Sequence, residues 1–132
     1  MRENELASMA IEAKAAAYAP YSGYKVGAAL LTKSGKVYTG ANIENASFSP
    51  TVCAERAAFF KAINDGECDF SMIAIAGGKG DSISSSYPCG VCRQVMAEFC
   101  DDNFKILVLK CDGGYDTFTL KELLPFSFRC IK

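Results

Sequence analysis

The chain has 132 residues, half of them hydrophobic and 22% charged, a size and composition suited to one core-forming domain, residues 1–132, rather than a disordered segment. Fourteen basic residues against fifteen acidic ones leave a net charge of −1, which argues against a general polyanion binder. There is no His, so Ser-His-Asp and Cys-His mechanisms are excluded, as is any metal site that needs imidazole.

In chain order, Leu6, Ala10, Ala13 and Ala17 recur at helical spacing in an Ala-, Glu- and Lys-rich segment. This predicts a first helix over 3–18, stopped by Pro20. Residues 19–23 form a loop, 24–32 a strand, Ser34-Gly35 a turn, and 37–42 the return strand of a hairpin. A polar stretch, 44–51, leads to a second helix starting at about Cys53 and closed by Asn64-Asp65-Gly66, where Gly suits a left-handed C-cap. Residues 70–76 read as a third strand and 77–87, rich in Gly and Ser, as a loop. A third helix is expected from Pro88-Cys89 to about Asp101, with Pro at its favoured first position. A fourth strand over 104–109, an Asp-Gly-Gly turn at 112–114, a fifth strand over 115–119 and a short helix over 120–124 complete the chain. Strands separated by a whole helix can be parallel, whereas strands joined by a tight turn must be antiparallel. The expected architecture is α/β: a mixed five-stranded sheet with helices packed on it, its last two strands antiparallel.

Seven cysteines are many for this length. The polar, acidic start, Met1-Arg2-Glu3-Asn4-Glu5, lacks the apolar stretch of a signal peptide. No run of about 18 apolar residues suggests a membrane span. A cytoplasmic protein is expected, where thiols are buried, metal-bound or catalytic rather than paired. Cys53-Ala54-Glu55 and Pro88-Cys89-Gly90-Val91-Cys92 stand out, because both clusters begin predicted helices on either side of one strand. In such a β-α-β-α arrangement both helix N-termini meet at one end of the sheet. The partial positive charge there favours thiolates. Two such N-termini and Arg56 can offset the excess charge of three thiolates around Zn²⁺. A fourth protein ligand would make the site structural; a vacant position would make it catalytic. Cys100 follows Cys92 by eight residues, about 12 Å along a helix, and Cys68 lies at the far end of the second helix, so neither reaches the same ion. Cys111 and Cys130 stay open as a fourth ligand; buried packing is the default for the four other cysteines. Glu55, in the first helical turn, is an ordinary helix-start acid or, beside an open zinc site, a proton carrier.

The C-A-E and P-C-x-x-C segments, preceded by Asn42-Ile43-Glu44-Asn45, resemble the zinc-dependent cytidine deaminases, specifically the small homotetrameric type with three Cys ligands. The resemblance runs from Tyr18-Ala19-Pro20-Tyr21-Ser22 to Glu122-Leu123-Leu124-Pro125. It implies a three-layer α/β/α fold, one zinc ion per subunit held by Cys53, Cys89 and Cys92, and Glu55 as the proton shuttle. Cytidine and deoxycytidine would be hydrolysed to uridine and deoxyuridine with release of ammonia, as in pyrimidine salvage. Asn42 and Glu44 would hold the ribose hydroxyls, the Ala54 N–H the base carbonyl, and Tyr24 would lie beside the pyrimidine. Phe128 falls where such enzymes insert an aromatic residue into a neighbouring subunit's site. Phe48 stands where many relatives carry Tyr and lacks its hydroxyl, and the tail after Phe128, Arg129 to Lys132, is short. Three rivals remain: a nucleic-acid deaminase, disfavoured by charge and by the tight turn between the last two strands; a nucleobase or blasticidin deaminase; and a structural zinc module with four protein ligands.

Overall fold

In a computed structural model, which describes residues 2–129, the elements run α1 (Glu3–Ala13), β1 (Tyr24–Thr32), β2 (Val37–Ala41), α2 (Ala54–Asn64), β3 (Phe70–Lys79), α3 (Gly90–Phe99), β4 (Lys105–Leu109), β5 (Tyr115–Thr119) and α4 (Leu120–Leu123). One sheet has the order β2-β1-β3-β4-β5. β1 pairs antiparallel with both β2 and β3, β3 pairs parallel with β4, and β4 pairs antiparallel with β5. The mixed sheet with antiparallel last strands is therefore as expected. β2 and β3 point the same way because each opposes β1, so α2 and α3 are both crossover helices between co-directional strands.

The period-two alternation of the strands sorts the core into two layers. On one face Ala29, Leu31, Ala74, Ala76, Leu107 and Leu109 meet Leu6, Ala7 and Ala10 of α1. On the other, Ala28, Leu30, Ile73, Ile75, Ile106 and Val108 meet Ala54, Ala58 and Phe59 of α2 and Met96 of α3. The result is the three-layer α/β/α sandwich. At Gly40 on β2 an added Cβ would fall 2.5 Å from the Ala54 carbonyl oxygen, so Gly is what lets the first turn of α2 lie against the sheet.

Several boundaries differ from expectation, and three of them bear on the site. The first helix ends at Ala13 and passes through a 3-10 turn, Lys14–Ala16, before Pro20 is reached. The chain leaves the helix early because Tyr18 pairs with the segment after β2: its N–H donates to the Asn42 carbonyl at 2.9 Å and its carbonyl accepts from Glu44 at 2.8 Å. The third strand continues to Lys79, since Gly77, Gly78 and Lys79 stay in register with Val26, Lys25 and Tyr24 of β1. The third helix starts at Gly90, not Pro88: Cys89 is its extended N-cap, and the Cys89 Sγ accepts the Cys92 N–H at 3.4 Å.

Candidate active site

The two crossover helices aim their N-termini at one place. Cys53 is the N-cap of α2 and Cys89 that of α3, both in extended backbone, and Cys92 follows in the first turn of α3. Parallel crossovers bring these caps side by side. The Sγ atoms of Cys53 and Cys89 lie 3.6 Å apart, and all three sulfurs lie within 4.8 Å of one another. Among the described residues this is the one group of three or more such side chains able to share an ion. Cys100 is buried elsewhere, Cys68 and Cys111 are exposed, and Cys130 lies outside the described residues.

Cys53 is drawn well below the usual thiol range, first by its hydrogen bond with Cys92, with the Arg56 guanidinium assisting. Cys92 is pushed up by that same bond and by burial. Arg56 Nη2 donates to Cys53 Sγ at 3.4 Å, while its buried Nε has no hydrogen-bond partner. A guanidinium held against sulfur with an N–H to spare suits a cluster that carries excess negative charge. The soft donor set, the short S···S separations and this cation all fit Zn²⁺.

Glu55 occupies the first turn of α2, is 4% exposed, and lines a cavity of about 330 Å³. Burial pushes its carboxyl up to about 7, with the Cys53 sulfur adding to the shift and Arg56 opposing it. A carboxyl poised near neutral pH can both accept and return a proton. The same cavity is lined by Cys53, Cys89, Ala54, Asn42, Glu44 and Tyr24. Cys92 is buried, and neither it nor Phe128 is part of the wall. Ala54 opens α2, where main-chain N–H groups have no acceptor within the helix.

Asn42 is locked edge-on to β1. Its Oδ1 accepts the Val26 N–H at 2.8 Å and its Nδ2 donates to the Tyr24 carbonyl at 2.9 Å, which leaves one N–H and one lone pair free. Glu44 Oε1 accepts from the main-chain N–H groups of Tyr21 and Ser22 at 2.9 and 3.1 Å, and Oε2 accepts from Ser22 Oγ at 2.5 Å. The Ser22 hydroxyl bond, more than the two backbone bonds, holds this carboxyl below its ordinary range, so Glu44 is an acceptor at neutral pH. Glu44 also borders a second cavity of about 340 Å³, shared with Tyr21, Phe48 and Thr51. Phe48 is 82% exposed there and Phe128 67% exposed on the tail, where its carbonyl accepts from Gln94 Nε2 at 2.8 Å.

The sequence reading missed Ser86 and Tyr87, which line the main cavity from the segment read as a loop. The Tyr24 hydroxyl hydrogen-bonds to Ser86 Oγ. The Tyr87 ring packs edge-on against Phe118 of β5 with centroids 5.8 Å apart. Val26, Thr51 and Val52 were missed as well. The alternation of β1 could have found Val26, which shares a face with Tyr24; nothing in the sequence pattern sets Ser86 apart from its neighbours.

A paired-crossover sheet that gathers thiols at two helix caps defines a metal-binding α/β class, and comparison with known proteins narrows it. Residues 1–108 match the family model for the cytidine and deoxycytidylate deaminase zinc-binding region. A cytidine deaminase of Halalkalibacterium halodurans is 47% identical over 128 residues, covering 97% of this chain and 95% of its own. The crystal structure of cytidine deaminase from Burkholderia pseudomallei superposes with a TM-score of 0.89 at 40% identity, covering 97% of this chain and all of that one. A blasticidin-S deaminase of Bacillus cereus is 31% identical over 110 residues, covering 80% of this chain and 77% of its own. The chain belongs to the cytidine and deoxycytidylate deaminase family.

Proposed function

We propose that this protein hydrolyses cytidine and deoxycytidine to uridine and deoxyuridine with release of ammonia, a reaction of pyrimidine salvage. The observation that carries the reading is one cavity whose wall combines the buried Glu55 carboxyl, the Cys53 and Cys89 thiols, and the Asn42–Glu44 pair. Cys53, Cys89 and Cys92 would hold one zinc per subunit, and Arg56 would offset the sulfur charge. Zinc held there by three protein ligands would supply an acidified water. Glu55 would take one proton from the attacking water and deliver it to N3 of the pyrimidine, then take the second from the hydroxyl added at C4 and pass it to the amine, so that the C4–N bond breaks, ammonia leaves and the C4 oxygen becomes a carbonyl. The Ala54 N–H holds the base carbonyl, Tyr24 flanks the ring, and Asn42 with the ionised Glu44 binds the ribose diol. A neutral base and an uncharged sugar need no basic track, in keeping with the net charge of −1.

We further propose that residues 1–132 act as one domain within a homotetramer, Phe128 reaching a neighbouring subunit's cavity. Exposed Tyr18, Tyr21, Ile43, Phe48, Phe126 and Phe128 support an assembly that covers them. A cytoplasmic location is supported by the free thiols of the described cysteines. Among the described residues no helix is long and apolar enough to cross a membrane.

The test is ultraviolet monitoring of purified protein with cytidine, deoxycytidine, cytosine and blasticidin S, with and without a zinc chelator. Chelator-sensitive turnover of the two nucleosides is expected. Turnover of only cytosine or blasticidin S would overturn the substrate assignment, and a zinc-replete protein inert on all four would favour the structural-module reading.

A further inference from the structure

Lys14 is the most deeply buried cation of the described chain, 6% exposed, yet it belongs to none of the site residues named above. It sits in the 3-10 turn after α1, on the face of the sheet opposite to α2 and α3. The backbone lies close to β1 there: a Cβ on Gly27 would fall 2.2 Å from the Ala10 carbonyl oxygen and 2.5 Å from the Lys14 nitrogen. From this seat the Lys14 ammonium donates to two main-chain carbonyls, Gly80 at 3.2 Å and Ser82 at 2.7 Å. Burying an ammonium is costly unless its N–H groups are satisfied. An apolar side chain would fill the same space without that cost, so what the lysine adds is the double donation.

The two carbonyls belong to the turn that ends β3, and the next residues lead straight into the cavity. Ser84 N–H donates to the Gly77 carbonyl at 2.7 Å, which folds the segment back along the edge that β4 leaves free. Ser86 Oγ donates to the Ser84 carbonyl at 3.1 Å and is hydrogen-bonded to the Tyr24 hydroxyl. Ser86 and Tyr87 then form part of the cavity wall, immediately before Pro88 and Cys89. The segment thus crosses the end of the sheet, held on the α1 side by Lys14 and by Ile83 in the apolar layer, and presented to substrate on the other side.

We propose that Lys14 is a positioning residue: its two hydrogen bonds across the sheet fix the 77–87 segment so that Ser86 and Tyr87 close the nucleoside cavity. The proposal rests on the deaminase reading, and the test separates the two. In zinc-loaded protein, Lys14→Met is expected to raise KM for cytidine about tenfold while kcat changes less than about threefold, the pattern of lost binding rather than lost chemistry. Zinc content stays at the wild-type level. Amide exchange across 77–87 should speed up about tenfold, while exchange in α2 does not change. Lys14→Arg keeps the charge and the donors and should bring KM back to within about threefold of wild type. If Lys14→Met does not fold, Lys14→Gln carries the same measurements.

A lowered melting temperature with wild-type KM and wild-type exchange across 77–87 overturns the proposal. So does a Lys14→Arg enzyme as impaired as Lys14→Met. A wild-type protein that leaves cytidine and deoxycytidine untouched overturns the deaminase reading instead, and the exchange comparison still decides whether Lys14 anchors the segment.

Discussion

The two faces of the sheet are built from the same strands and used differently. On the α1 face, Leu6 and Ala10 are fully buried against Ala29 and Ala74, and the layer is apolar except at one end, where the Lys14 ammonium is buried. On the α2–α3 face the apolar layer is broken at one end, where two helix caps bring sulfur and a carboxyl against a cavity. A closed layer can be rigid because small side chains let a helix lie close. An open one must hold charge near a low-dielectric core, and it does so with a neighbouring guanidinium, helix N-termini and a protonatable carboxyl. The difference teaches that stability and chemistry occupy opposite sides of five shared strands, joined at one end where Lys14 holds the 77–87 segment. Substitutions should therefore separate them.

The largest effect is expected where the two demands coincide. Cys89 caps α3 and lies in the thiol cluster, so Cys89→Ala should lose zinc, all measurable turnover and the stability that binding adds, about 4 kcal/mol if free zinc is near a thousand times its dissociation constant. Metal analysis and thermal melts check this; full zinc occupancy would remove Cys89 from the ligand set. Glu55→Gln comes next and should act on chemistry alone. The amide is close in shape but cannot relay a proton, so kcat should fall by about 10²–10⁴ with zinc and fold retained. Unchanged kcat would strip Glu55 of its role.

The opposite face supplies the converse. Leu6→Ala removes a fully buried side chain from the α1 layer and should cost about 2–5 kcal/mol of stability. KM and kcat, measured well below the melting temperature, should match wild type. A large kinetic defect would show that the two faces are coupled more tightly than their packing indicates.

The sequence carried more of one face than of the other. Strand β1 was legible to the residue, Tyr24 to Thr32, because a continuous small and apolar run, Val26 to Leu31, lies between two turn-forming loops. The meeting of three thiols was also legible, since two cysteine clusters at the starts of successive crossover helices have one end of the sheet available to them. Less visible was everything that depends on the 77–87 segment. Gly77 and Gly78 read as a loop because glycine punctuates turns, yet here they extend β3 against β1. Lys14 falls inside the helix expected over 3–18, because nothing local announces that the helix stops at Ala13 or that Gly80 and Ser82, more than sixty residues away, present carbonyls to it. Such a contact is set by the path of the chain around the end of the sheet, which no local pattern encodes.

The smallest expected effect reads that hidden contact through pH. Burial lowers the Lys14 pKa from its ordinary 10.5, with Asp81 opposing the shift and Lys25 adding to it; these are the charged groups that face it, one on the turn after β3 and one on β1. Between the folded-state pKa and 10.5 the unfolded chain binds a proton that the folded chain does not. Stability therefore gains a contribution that grows as pH rises through that window. Below the folded-state pKa both states are charged, and the burial cost is carried in full. Lys14→Met removes the titration, so its stability should gain less than that of wild type over the same alkaline interval, in denaturant melts of zinc-loaded protein at matched ionic strength. Parallel slopes for the two proteins would mean that the groups around the ammonium, the Gly80 and Ser82 carbonyls and Asp81, favour the charged form by as much as burial disfavours it.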